Sequence, residues 1–198
     1  MQLYHVLLFV HLVSLLIAAG AATTLHLADI EIRRATTLAE AGRLGLRMKK
    51  TAHAFPFAIV GLVVTGVWMT HRLGWGFSAP WVLAGIAGLG AIIVLGDAVN
   101  GAYGKRLGGR IGAALARGGD GPLPDDVIAC LDDPLAKAAA VAPTGLMLGV
   151  IYVMAAKPGV TGSVLAMLVA LLAGAVASQL LLRRPEARAV EAVAADLA

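Results

Sequence analysis

The sequence predicts an all-α protein, a polytopic transmembrane helical bundle of about five spans. Of its 198 residues, 59% are hydrophobic and 14% are charged, and the mean hydropathy is +0.84. A soluble domain needs a more polar surface than this composition supplies. Runs such as FPFAIVGLVVTGVWM and VLAMLVALLAGAVA carry no charge and are apolar on every side. Strands of a membrane β-barrel alternate apolar and polar residues instead, so these runs indicate helices.

The apolar stretches are each close to the ~20 residues that cross a bilayer as a helix. The first lacks the basic n-region of a signal peptide, so we interpret it as a retained span. We therefore expect one bundle over residues 1–182, a cytoplasmic loop at 104–136 with a short helix at PDDVIACL, and a cytoplasmic tail at 183–198. The five predicted spans are approximately 3–28, 53–71, 80–103, 137–156 and 161–182.

The distribution of basic residues predicts the orientation of these spans. All 16 Lys and Arg residues except Arg72 and Lys157 lie between spans one and two, between spans three and four, or after span five. Because Lys and Arg favour the cytoplasmic side, the N-terminus is predicted outside and the C-terminus in the cytoplasm. Aromatic residues near the predicted outer boundary, such as Trp75 and Trp81, fit the same orientation.

Ionisable residues at membrane depth are costly, so they are the first candidates for a functional site. The five histidines all lie on the first two spans, and one acid, Asp97, falls inside a predicted span. An antiparallel hairpin of these spans places His26 level with His53, and His11 within ~3 Å of rise of the level of His71. His53 and His71 are 18 residues apart, which is five helical turns, so they share one face.

Paired histidines from neighbouring helices are the ligands that a b-type haem requires. The predicted cofactor is therefore haem b between spans one and two. Asp97 and Asn100 approach the inner pair as partners for a ligating imidazole. The predicted cofactor-binding residues are His11, His71, His26, His53 and Asp97, with the iron bound through His11 and His53.

Three alternatives remain open at this stage. Asp97, Asn100 and Gln179 could line a polar path with the inner histidines, as in a transporter of a small solute, ions or protons. Gly145 and Gly149, and a small-residue stripe on span five, indicate first of all close helix packing within the bundle. The same faces could instead dock a non-catalytic scaffold or accessory subunit onto a larger complex. The stripe consists of Ala166, Ala170, Ala173 and Ala177. The histidines could also be ordinary polar residues near a boundary, where imidazole reaches water.

The remaining composition restricts the partners and the chemistry. The basic residues flank apolar spans instead of forming one stripe, so we expect the lipid bilayer and a homo-oligomer or larger membrane complex as partners, and no nucleic acid. No nucleophile–base–acid triad or phosphate loop is present in the sequence, which argues against an enzyme. Cys130 is the only cysteine, so no thiolate cluster forms within one chain.

The first two spans resemble a known group of proteins. The resemblance rests on YHVLLFVHLVSLLIAAGAATTLHL, on the basic MKKTAH linker and on the TGVWM that ends the second span, over roughly residues 1–75. This arrangement is similar to small bacterial integral membrane proteins of unknown function, and more distantly to the copper-resistance D and HemJ-like protoporphyrinogen oxidase families. The resemblance implies a bacterial inner membrane, electron transfer or haem or copper handling, a ligand role for His11, and close helix packing at Thr65 and Gly66.

Overall fold

The computed structural model describes residues 2–118 and 121–182 and is helical throughout its regular elements there. Five helical segments in this part are long and apolar enough to cross a membrane. The predicted all-α class with five candidate spans is therefore confirmed, whereas the predicted tail at 183–198 lies outside the described residues. The helices are α1 (Gln2–Arg34), α2 (Leu38–Ala52), α3 (Ala54–Arg72), α4 (Pro80–Val94), α5 (Ala102–Ala116), α6 (Asp125–Leu131), α7 (Pro134–Ala156) and α8 (Val160–Leu181), with a π-helical segment, Leu95–Gly101, joining α4 to α5.

Helix α1 forms a long antiparallel hairpin with α2 and α3, which follow one another almost without interruption. Ser14 packs directly on Gly61, where an added Cβ would lie 3.1 Å from the Ser14 Cβ. The helix continues to Arg34, six residues beyond the predicted span, because Ile32 is buried and Asp29 pairs with Arg33 one turn later. The hairpin is thus longer than its apolar run.

A second group consists of α4, α7 and α8, in which α7 and α8 approach most closely. Gly145 and Gly149 face Ala170 and Gly174, and a Cβ added at Gly145 would lie 3.0 Å from the Gly174 Cα. Small residues allow this approach because no side chain separates the two backbones. The close packing predicted at Gly145 and Gly149 is confirmed, although Ala173, which was predicted to share the stripe on α8, is exposed.

The end of the bundle where α1 stops carries α2, α5 and α6, and we call it the basic end. The predicted loop at 104–136 is largely helical there, because α5 continues the third span to Ala116. The short helix predicted at PDDVIACL is confirmed as α6, with Pro124 before it and two acids in its first turn. Buried side chains from five helices form a hydrophobic core at this end, including Ile32, Leu38, Leu107, Val127 and Leu131.

Two tryptophans and one lysine gather at the opposite end, which we call the aromatic end. The Trp75 and Trp81 rings meet edge to face with centroids 5.0 Å apart. Lys157 Nζ lies 4.4 Å from the centre of the Trp75 ring and 5.1 Å from that of Trp81. A cation over two rings holds the α3–α4 connection against the end of α7.

The hairpin of α1 and α3 meets the group of α4, α7 and α8 chiefly where α1 crosses α7. We call this contact the seam. It is narrow compared with the interfaces inside each group, and at the basic end it is reinforced by α2 packing on α5. Of the polar side chains described next, His11 faces α3, His26 lies at the seam, and the others lie below it toward the basic end.

Candidate functional site

His11 is half-buried between α1 and α3, where it contacts a threonine. Its Nδ1 lies 2.8 Å from the Thr65 hydroxyl oxygen, and that hydroxyl donates its own hydrogen to the Gly61 carbonyl oxygen at 2.5 Å. Because so short an O···O distance requires a hydrogen between the oxygens, the heavy-atom network assigns the Thr65 oxygen as the acceptor of His11 Nδ1–H and places the hydrogen of the neutral ring on Nδ1. The other ring nitrogen, Nε2, retains its lone pair.

His26 lies fifteen residues further along the same helix, at the seam. Its Nε2 is 2.7 Å from the hydroxyl oxygen of Thr144 on α7. This hydrogen bond joins the two groups of helices through a pair of side chains. It also occupies the ring nitrogen that histidine most readily offers to a ligand.

A buried ion pair follows one turn below His26. Asp29 is 5% exposed and Arg33 is 2% exposed, and they are the two buried charged side chains among residues 2–118 and 121–182. Arg33 Nε donates to Asp29 Oδ2 at 3.3 Å, while its Nη1 donates to the carbonyl oxygen of Leu131. Leu131 ends α6, so Arg33 satisfies one of the carbonyls that the end of that helix leaves unpaired.

Three polar atoms of this region have no hydrogen-bond partner in the described part of the chain: Asp29 Oδ1, Arg33 Nη2 and Tyr103 Oη. Tyr103 begins α5, packs in the same core as Ile32 and Leu131, and lies within electrostatic range of both Asp29 and Arg33. A buried polar group left unpaired costs about 1–3 kcal/mol, and a charged one costs more. An acceptor and two donors that remain unpaired so close together define a candidate binding site.

Helix α7 carries Pro143 in its interior, next to Thr144. Proline has no N–H, so the carbonyl of Ala139, four residues earlier, loses its helical donor. Asn100, in the π-helical segment, donates from its side-chain nitrogen to that carbonyl oxygen at 3.1 Å. Near the site, the hydrogen bonding of the α7 backbone is therefore completed by the Asn100 side chain from the π-helical segment.

This arrangement predicts energetic coupling between Asn100 and Pro143. Replacing Asn100 with Ala should lower the free energy of unfolding by about 1–2 kcal/mol, because the Ala139 carbonyl loses its donor. In a Pro143→Ala background the same change should cost much less, since the new N–H at 143 bonds to that carbonyl. A double-mutant cycle of thermal unfolding in detergent measures the coupling. Equal costs of Asn100→Ala in both backgrounds would contradict it.

The residues singled out in the sequence do not meet in one place. His53 and His71 are exposed, as is Asp97 on the π-helical segment. The His11–Thr65 contact sets the hairpin register so that His71 is level with about residue 5 and His53 with about residue 23. His26 and His53 are therefore about three residues apart in level, and His11 and His71 about six, which is about 5–9 Å of rise. The predicted register is displaced by about four residues, because α1 ends beyond the predicted span boundary.

The α1–α3 packing does not fit a haem held between these helices. Ser14 lies directly on Gly61, and a Cβ added at Gly66 would be 3.5 Å from His11 Cε1. A porphyrin needs an apolar cleft with axial ligands on its two faces, and the helices are in contact where that cleft was expected. The described residues also hold no group of three or more His, Cys, Asp or Glu placed to bind a metal ion. Haem ligation by His11 stays a prediction that requires α1 and α3 to separate.

Asp29, Arg33 and Tyr103 were not predicted as site residues from the sequence. Asp29 follows the apolar run directly and Arg33 belongs to a basic segment, so both were assigned to a loop. The spacing of four residues between opposite charges was the available signal, because it places an acid and a base on one helical face. The burial of these residues by α5 and α6 leaves no pattern in the neighbouring sequence that could be recognised in the same way.

Comparison with known proteins gives this chain no relative. No protein-family model, no curated protein and no solved structure matches it. The fold and the polar cluster on α1 are therefore the basis for the functional proposal.

Proposed function

We propose that this protein is a multi-pass carrier of the bacterial inner membrane, with its basic end in the cytoplasm, that binds a small zwitterionic solute at Asp29, Arg33 and Tyr103. The observation that carries the proposal is the set of three unpaired polar atoms on these buried side chains. A buried ion pair is weak evidence for stabilisation, because burying the charges is costly, and ionisable residues inside membrane proteins mark substrate pathways.

The unpaired atoms support the choice of solute class. Arg33 Nη2 is a cationic donor suited to a carboxylate, and Asp29 Oδ1 is an anionic acceptor suited to an ammonium group. The Tyr103 hydroxyl offers a further hydrogen bond. A solute with both charges satisfies all three groups, whereas a simple anion or cation leaves one of them unpaired.

The division of the membrane helices supports transport. Helices α1 and α3 meet α4, α7 and α8 chiefly at the narrow seam, while α2 packs on α5 at the basic end. The site lies on α1 just below the seam. His26 and Thr144 close the seam above the site with one hydrogen bond of 2.7 Å. Carriers expose a bound solute by rocking one helix group against another, and breaking this contact would allow α1 and α3 to move relative to α7 while the basic end stays packed.

The proposal is tested by uptake into proteoliposomes that contain the purified full chain. We expect radiolabelled glycine, alanine or proline to accumulate above protein-free vesicles, and acetate and methylamine not to do so. Asp29→Asn and Arg33→Gln should each reduce zwitterion uptake at least tenfold. Tyr103→Phe, which removes a single hydroxyl, should reduce it about two- to tenfold, the equivalent of one hydrogen bond.

Two substitutions provide matched controls, because Asp97→Asn and Arg34→Gln remove the same charges at exposed positions. Both should leave uptake unchanged. Far-ultraviolet circular dichroism of each reconstituted variant confirms that it is folded. Absence of uptake of all three zwitterions by the native protein, or native uptake by folded Tyr103→Phe and Arg33→Gln variants, would overturn the proposal.

A further inference from the structure

A groove of about 420 Å³ opens between α1 and α2 near the basic end. It lies on a different face of α1 from Asp29 and Arg33, and it does not depend on the carrier proposal. One wall comes from α1 and the other from α2, in the antiparallel register that the hairpin sets. The side chains that determine its chemistry are Thr24, Leu27 and Glu31 on α1, and Arg47, Lys50 and Thr51 on α2.

The groove carries both signs of charge without neutralising them. Glu31, Arg47 and Lys50 are all exposed, and in the part of the chain that the structure describes no ion pair joins the carboxylate to either cation. Their charges are therefore free to meet a ligand that brings a negative and a positive group of its own.

The position of the groove indicates where such a ligand comes from. Leu27 is 56% exposed and continues the apolar surface of α1 toward the middle of the bundle. Arg47 and Lys50 lie at the end of the apolar run, where phospholipid phosphates lie beside membrane helices. Thr24 uses its hydroxyl hydrogen on the Gly20 carbonyl, so its oxygen is left as an acceptor for an ammonium group.

We propose that this groove binds the headgroup of phosphatidylethanolamine. The phosphate lies between Arg47 and Lys50, and the primary ammonium group donates to Glu31 and to the Thr24 hydroxyl oxygen. The acyl chains follow Leu27 along α1. An anionic headgroup without an ammonium group is disfavoured because it brings the same phosphate but leaves the Glu31 carboxylate without a positive partner.

Native mass spectrometry of the delipidated full chain with added lipid tests this assignment. We expect phosphatidylethanolamine to bind about tenfold more tightly than phosphatidylglycerol or phosphatidylcholine, the equivalent of about 1.4 kcal/mol. Arg47→Gln combined with Lys50→Gln should remove this binding. Arg43→Gln combined with Lys49→Gln is the matched control, because it removes two exposed charges of the same helix that do not line the groove.

The role of the Glu31 carboxylate can be tested separately through the lipid preference. Glu31→Gln should remove the preference for phosphatidylethanolamine and favour phosphatidylglycerol, since the carboxylate that pairs with the ammonium group is gone. Equal losses in both double variants would show that general attraction to basic residues explains the binding, and would overturn the proposal. Displacement of the lipid by millimolar inorganic phosphate would also overturn it, because the groove would then bind free phosphate.

Discussion

Replacing Arg33 with Met is expected to lower the free energy of unfolding by about 3–5 kcal/mol. The change leaves Asp29 buried without its cation, and removing one partner of a buried pair strands an uncompensated charge. It also frees the carbonyl of Leu131 at the end of α6. The loss should be measured by thermal unfolding with a thiol-reactive dye, since the single cysteine, Cys130, is buried in the core at the basic end.

The adjacent Arg34 provides the control for this prediction. It is exposed at the end of the same helix, so Arg34→Met should change stability by no more than about 0.5 kcal/mol. Adding Asp29→Asn to Arg33→Met should recover part of the loss, because the stranded charge is removed. Equal effects of Arg33→Met and Arg34→Met would contradict the buried ion pair.

Replacing Gly145 with Val is expected to have the second-largest effect, a loss of about 2–3 kcal/mol. A Cβ at this position would lie within 3.1 Å of the Gly174 Cα and N, and still closer to the Ala170 carbonyl oxygen. These are backbone atoms, so they cannot rotate away as a side chain would, and α7 and α8 must separate. Unfolding temperature in a mild detergent measures the effect.

Gly90 provides the matched comparison, because it also lies in a membrane helix but has nothing within 4 Å of an added Cβ. Gly90→Ala should be neutral or stabilising by up to about 1 kcal/mol, since alanine loses less backbone freedom on folding than glycine does. A loss at Gly90 equal to that at Gly145 would show that the cost arises from helix conformation and not from the α7–α8 contact.

The sequence was sufficient to predict the class and the spans, because apolar runs of about twenty residues have a local signature. It also predicted close helix packing at Gly145 and Gly149, since they are four residues apart and share one helical face, but it did not identify α8 as the partner helix. The contact between His11 and Thr65 joins two positions that the resemblance had marked separately. The tautomer of His11 was not predictable, because it depends on the hydrogen bond from the Thr65 hydroxyl to the Gly61 carbonyl, which is known only from the structure.

The polar cluster was not predictable in the same way. Asp29 and Arg33 are buried by protein beyond the end of the apolar run, and hydropathy does not register burial by distant helices. The hairpin register depends on the contact of Ser14 with Gly61, so counting from span boundaries displaced His53 and His71 from their assumed partners. The burial of Tyr103 could not be predicted either, because its neighbours come from α1 and α6, which are distant in the sequence.

Helix α1 is longer than the membrane is thick, and the polar cluster lies on the part of the helix that extends beyond the hydrocarbon layer. Its 33 residues extend about 50 Å, whereas the hydrocarbon layer is about 30 Å thick. The surplus projects at the basic end, where α2, α5 and α6 surround it. Asp29 and Arg33 are therefore surrounded by protein atoms and not by lipid. We expect a change of bilayer thickness to alter the tilt of the apolar helices and to leave the immediate surroundings of this ion pair the same.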